Sequence, residues 1–167
     1  MDDLSRIVAV DEICRLKYRY LRCLDQKLWD DIAGCFTADA VAEYSAGSYR
    51  FEGRDAIVDF LRRSMGSEQF LSSHRCHHPE IDVIGPTTAV GVWALEDTVV
   101  HGEHNITIQG AAFYEDEYVR DDDGWRIART GYRRTYEEIF PRSSVEGLRL
   151  TASWWSTGGR SDLDASS

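Results

Sequence analysis

No stretch of this chain approaches the roughly 20 consecutive apolar residues that a membrane-spanning helix requires, so a role built on such a helix is set aside. Positive charge is also short. The 19 Lys and Arg residues are outnumbered by 29 Asp and Glu, for a formal net charge of -10, and they lie among acids rather than in a patch. Such a surface repels a phosphate backbone and an acidic bilayer alike, which argues against nucleic acid and membrane partners. The four cysteines, Cys14, Cys23, Cys35 and Cys76, include no CxxC pair, and no secretory type of apolar run leads the chain. Reduced thiols in a cytoplasmic protein are the expectation. Gly-rich phosphate loops, nucleophile elbows and HExxH are all missing, which sets aside kinase, dinucleotide-dependent, serine-hydrolase and zincin readings.

What is present fits one domain, since 167 residues bury roughly two thirds of their unfolded surface around a single core. Residues 9 to 36 read as two helices, carrying Ile13, Leu16, Tyr20, Leu21, Leu24 and Leu28, then Trp29, Ile32 and Phe36. A short hairpin is expected over 40 to 52 with its turn at Ala46-Gly47, and a third helix over about Arg54 to Met65. Four strands then follow, at roughly 71 to 84, 88 to 101, 105 to 120 and 125 to 136, as an antiparallel meander. Helices first and a curved sheet afterwards predict an α+β domain over residues 1 to 140, with the helices packed over one face of the sheet. Residues 141 to 167 form a tail. Its Leu148, Leu150, Trp154 and Trp155 call for a docking surface, while SerThrGlyGly and the final SDLDASS are expected to lack order.

The chemistry-bearing candidates are Tyr20 and Asp25 on the first helix and His74 on the first long strand. At about 100° per residue, Tyr20 and Asp25 stand roughly 140° apart and flank the apolar stripe, so both can border one cavity. The plainer reading makes Asp25 a cap of the second helix and Tyr20 an ordinary aromatic. Tyr18 is closer to Asp25 on a straight helix and rivals Tyr20 for a hydroxyl role. Strand alternation sets His74, Cys76 and His78 on one face, yet Ile81 and Val83 carry the parity of His77. An inward His74 therefore requires a bulge, expected near Pro79. HRCHH and HGEH hold all five histidines, and His101 with His104 read as a solvated turn, so no metal is expected. Trp93 and Phe113 read as core or pocket wall. Arg129 and Arg133 share the parity of Trp125 and Ile127, so one of them is expected to reach the cavity.

The segments RYLRCLDQKLWDDIAGCFTADA, FEGRDAIVDFL, SSHRCHHPEIDVIGPTTAVG and EDEYVRDDDGWRIA, spread over about residues 5 to 140, resemble the SnoaL-like branch of the nuclear transport factor 2-like superfamily. Within it the chain is most similar to scytalone dehydratase, hexachlorocyclohexane dehydrochlorinase and bile-acid dehydratase. The resemblance implies a cone-shaped sheet with the helices over its concave face, and cofactor-independent elimination of water or halide from a small hydrophobic ring compound, with Asp25 and His74 as an orienting acid and a general base. It gives Tyr20 the place of an assisting tyrosine and Tyr44 that of a hairpin tyrosine. Leu24 stands where scytalone dehydratase has a further tyrosine. Tyr44, His78, Trp93 and Arg133 are expected to contact substrate. The resemblance also implies a homo-oligomer, a trimer ahead of a dimer. An isomerase or cyclase, or a ligand-binding domain without catalysis, uses the same fold.

Overall fold

The computed structural model describes residues 1–163; the last four residues of SDLDASS lie outside the described residues. The first helix, α1 (Asp3–Asp25), begins earlier than its apolar stripe suggested, because the Asp2 carboxylate accepts a 2.7 Å hydrogen bond from the Ser5 backbone N–H and caps it. Ala9, Ile13, Leu16, Tyr20 and Leu24 form its buried face. Lys27 ends the helix run at a positive φ of 58°, and a short α2 (Trp29–Ala33) follows. The second helix thus stops before Phe36. Gly34 terminates it, and Phe36 starts the strand β1 (Phe36–Tyr44), four residues ahead of the expected hairpin. Ser45, Ala46 and Gly47 all take positive φ in the turn to β2 (Tyr49–Glu52). Helix α3 (Arg54–Met65) packs Ile57, Val58 and Leu61 inward.

The long strands are β3 (Phe70–Val83), β4 (Thr88–His101), β5 (Ile106–Asp121) and β6 (Gly124–Pro141). One six-stranded sheet has the order β2-β1-β6-β5-β4-β3, antiparallel except for β1 against β6. The sheet is curved and not closed. Strand β3 is an edge, and α1 packs along it and against β6.

Bulges decide which side chains face the helices. In β3 the pairing steps from His77↔Ala94 to Glu80↔Val92, one extra residue, with His78 at φ 48°. Ser72, His74 and Cys76 therefore share a face with Ile81 and Val83. Strand β6 carries two such irregularities, between its pairings of Ile127 and Arg129 and between those of Arg134 and Tyr136. Thr130, Tyr132 and Arg134 turn inward as a result, and Arg129 and Arg133 turn to the outer face with Phe113 and Glu115. The expectation that Arg133 reaches the cavity is corrected accordingly: unbroken alternation from Ile127 points Arg133 inward, and the extra residue turns Arg134 inward in its place, onto Asp97.

Packed under α1, the concave face is filled rather than hollow. Trp93, Tyr20, Tyr114, Tyr118 and Lys17 are all fully buried there. The tail continues through a 3-10 turn (Arg142–Ser144) and docks in part. Ser153 is buried and the Lys27 ammonium sits 4.4 Å from the Trp155 ring centroid, whereas Leu148, Leu150 and Trp154 stay exposed. Ser156–Gly159, expected to lack order, instead forms a turn in which the backbone N–H groups of Thr157 and Gly159 donate to the Ser153 carbonyl. The Ser153 side chain and carbonyl supply the acceptors that a composition-based reading overlooks.

Candidate active site

An edge strand leaves every second N–H and C=O without a strand partner. Asp25, the last residue of α1, fills that gap on β3: its Oδ2 accepts the His74 backbone N–H at 2.9 Å, and its Oδ1 lies 2.6 Å from His74 Nδ1. The Ser72 hydroxyl donates to the same Oδ1 at 2.8 Å. One carboxylate thus holds the strand's backbone, the imidazole and a neighbouring hydroxyl. A carboxylate can only accept, so Nδ1 carries the hydrogen, and in the neutral form of the ring the lone pair is on Nε2. The plain capping role weighed for Asp25 is not what the geometry shows, since none of its bonds goes to α2.

Two open cavities share Asp25 and Gln26 in their walls. The first, about 400 Å³, runs between α1 and the edge of β3 and is lined by Tyr18, Leu21, Arg22, Asp25, Gln26, His74 and Cys76. The second, about 310 Å³, continues past Asp25 to Leu71, Ser72, Ser153, Trp154 and Trp155. Burial pushes the Cys76 thiol up to about 11, so it faces the groove as a neutral thiol at physiological pH. Burial first, then neighbouring Cys14, raises the Tyr18 hydroxyl, which stays protonated and able to donate.

The other residues singled out in the sequence divide sharply. Tyr20 is 0% exposed and lines neither cavity; its hydroxyl lies 3.4 Å from that of Tyr44, which is also buried. Burial drives the Tyr20 hydroxyl well above its ordinary range, and that of Tyr44 upward likewise. The two cavity-bordering residues expected on α1 are therefore Asp25 and Tyr18, not Asp25 and Tyr20. The angle of 140° spanned the stripe correctly, but the stripe itself faces the filled interior. Trp93 is interior, edge-on to Tyr18 with ring centroids 6.2 Å apart. His78 is exposed at the bulge and does not line the groove. Arg133 lies on the outer face. Among the described residues no three His, Cys, Asp or Glu side chains gather in a way that could hold a metal ion.

Sequence reading missed a polar network beneath the site. Lys17 Nζ lies 2.7 Å from Asp116 Oδ2, both side chains at 0% exposure. Tyr118 donates to the same oxygen at 2.7 Å, Thr130 donates to Oδ1 at 2.6 Å, and Trp93 Nε1 donates to the Tyr118 hydroxyl at 2.9 Å. The ammonium also stands 3.4 Å from the Tyr114 ring centroid. Its signal was a lysine inside the apolar stripe between Ile13 and Tyr20. Arg134 was missed too: it makes a two-point ion pair with Asp97, the direct cross-strand partner of His74, above Gly110. A Cβ at Gly110 would come within 3.0 Å of Arg134 Nη1.

An α+β sheet of this order, with a helix C-terminus closing on its edge strand, has counterparts among solved structures. A candidate scytalone dehydratase from Novosphingobium aromaticivorans superposes with a TM-score of 0.75 at 22% identity, over 80% of this chain and 89% of that one. The hexachlorocyclohexane dehydrochlorinase LinA-type3 from Novosphingobium barchaimii gives 0.77 at 19% identity, over 91% and 100%. At such identity the likeness establishes the fold, the nuclear transport factor 2-like α+β cone. The family model of the SnoaL-like domain matches residues 5–131, and the chain belongs to that family. An uncharacterized protein of Mycobacterium tuberculosis is 28% identical over 129 residues, 77% of this chain and 86% of that relative.

Proposed function

We propose that the protein is a cofactor-independent lyase that removes a proton from carbon and expels water or halide from a small hydrophobic ring compound. The observation that carries this reading is the 2.6 Å contact between His74 Nδ1 and Asp25, which leaves Nε2 as the base. Proton uptake at Nε2 makes an imidazolium whose charge the adjacent carboxylate balances. The carbanion or enolate then forms the new double bond as the leaving group departs with its electron pair. Tyr18, which lines the same groove, takes the hydroxyl role of protonating a departing hydroxide or holding a carbonyl oxygen. Tyr20 and Tyr44 act behind it by filling the interior. The dehydratase and dehydrochlorinase among the structural neighbours support elimination over isomerisation or cyclisation, which the same base and donor could perform. We further infer a cytoplasmic homo-oligomer, a trimer ahead of a dimer.

A panel of cyclic β-hydroxyketones and γ-hexachlorocyclohexane tests the reading. Product absorbance or released chloride is followed without added cofactor. Turnover of at least one member, insensitive to chelator and lost in His74→Ala, is the expected result. Turnover that persists in His74→Ala assigns the chemistry elsewhere.

A further inference from the structure

The two cavities are not alike, and Asp25 stands at their junction. In the wall of the first cavity alone lie Tyr18 and Arg22. Arg22 donates to Gln26 at 3.2 Å, and among the described residues no carboxylate lies within 4.0 Å of its guanidinium. An arginine that no carboxylate neutralises, standing in the wall of an open groove, is free to take an anion. Past Asp25 the character reverses: Leu71, Trp154 and Trp155 make an apolar wall. Trp155 is fixed there by the Lys27 ammonium, itself anchored on the Met65 and Phe70 carbonyls at 2.6 and 2.8 Å. Trp154 is 62% exposed, free to cover a ring laid beside it.

We propose that the ligand of this groove is an amphiphilic aromatic or alicyclic acid, its ring system against Trp154 and Trp155 and its carboxylate or phenolate on Arg22. This deepens the lyase reading and rests on the same groove being its substrate site. Bound so, the ligand passes directly over Asp25 and His74. The carbon between anion and ring is the one presented to Nε2, which selects acids with an acidic C–H near the centre of the molecule. The filled interior leaves the edge of β3 as the side of approach.

Isothermal titration with 2-naphthoate and its neutral analogue 2-naphthol tests the orientation without any turnover. Wild type is expected to bind 2-naphthoate about 10-fold more tightly than 2-naphthol, a difference of one charge-assisted contact. Arg22→Gln should erase that preference and leave 2-naphthol binding unchanged. Trp154→Ala should weaken both probes by about 10-fold. Both sites are exposed, and a melting curve matching wild type confirms that each variant is folded. His74→Ala should bind both probes within about 3-fold of wild type, so loss of catalysis and loss of binding are read separately. The proposal is overturned if Arg22→Gln keeps the preference for 2-naphthoate, if Trp154→Ala binds as wild type does, or if neither probe binds wild type at millimolar concentration. Should the probes behave as stated while His74→Ala keeps full turnover, the orientation stands and the lyase assignment falls.

Discussion

Asp25 binds His74 twice, through the backbone N–H at 2.9 Å and through Nδ1 at 2.6 Å, so the residue that closes the edge of β3 also fixes the imidazole. Structure and the proposed chemistry draw on the same carboxylate. Asp25→Asn keeps the shape but offers one acceptor where the carboxylate offers two, with Ser72 also donating. One of the three donors then faces an amide N–H. Turnover is expected to fall by about 10² to 10⁴-fold, because the amide neither balances the imidazolium nor selects the Nδ1–H tautomer. Stability should fall by about 1 to 3 kcal/mol in urea unfolding, from the unpaired donor. Equal activity in Asp25→Asn and wild type would remove Asp25 from the mechanism.

Lys17 and Asp116 form an ion pair without solvent access, and breaking it from one side strands a charge. Lys17→Met should cost about 3 to 5 kcal/mol, since Asp116 loses its counter-charge in the interior. Lys17→Met with Asp116→Asn should recover much of that loss, because no buried charge remains while an amide oxygen still accepts from Thr130 or Tyr118. Denaturant melts of the two variants check this. A Lys17→Met protein within about 1 kcal/mol of wild type contradicts a structural role for the pair.

Cys76 gives a pH signature. Burial raises its thiol from the ordinary 9.0 to about 11 in the folded protein. The folded state keeps a proton that the unfolded chain releases, so this contribution is complete below about pH 9 and is lost as pH rises toward 11. Iodoacetamide labelling at Cys76, followed by peptide mass spectrometry, should stay slow until pH approaches the folded value. The decline in stability between those pH values should be shallower in Cys76→Ala. Rapid labelling at pH 8 would show the thiol to be ionised in the groove.

Much of the architecture was legible because local rules agreed with one another. Helix α3 and the strands β3, β4 and β5 fell close to their expected limits, since Gly85-Pro86 and Asp121-Asp122-Asp123-Gly124 punctuate clear runs of β-branched and aromatic residues, whereas β6 runs on past Tyr136 to Pro141 in pairing with β5. The bulge at His78 and Pro79 was readable from a parity conflict between His74 and Ile81. The bulge after Ile127 was not, because Arg129 and Arg133 create no such conflict and either parity reads as an amphipathic strand. Tyr20 was assigned to the cavity because periodicity gives the face of a helix but not whether that face meets a hollow or a packed interior. The Lys17–Asp116 contact joins residues 99 apart, and no short-range pattern announces such a pairing.

The homo-oligomer proposed above would cover the exposed apolar residues of the outer sheet face and the tail. Val90, Val92 and Phe113 on the outer face and Trp154 in the tail are each more than a third exposed. Multi-angle light scattering at micromolar concentration is expected to give three times the chain mass. A monomer at that concentration counts against the expectation.

The central claim is that His74 is a base and not a structural residue. Its direct test is turnover and thermal melting measured together on His74→Ala, with a substrate from the panel above. The account predicts a melting temperature close to that of wild type, ligand binding retained, and turnover reduced by about 10² to 10⁴-fold. A His74→Ala protein that turns over normally, or that is inactive only because it melts early, would contradict it.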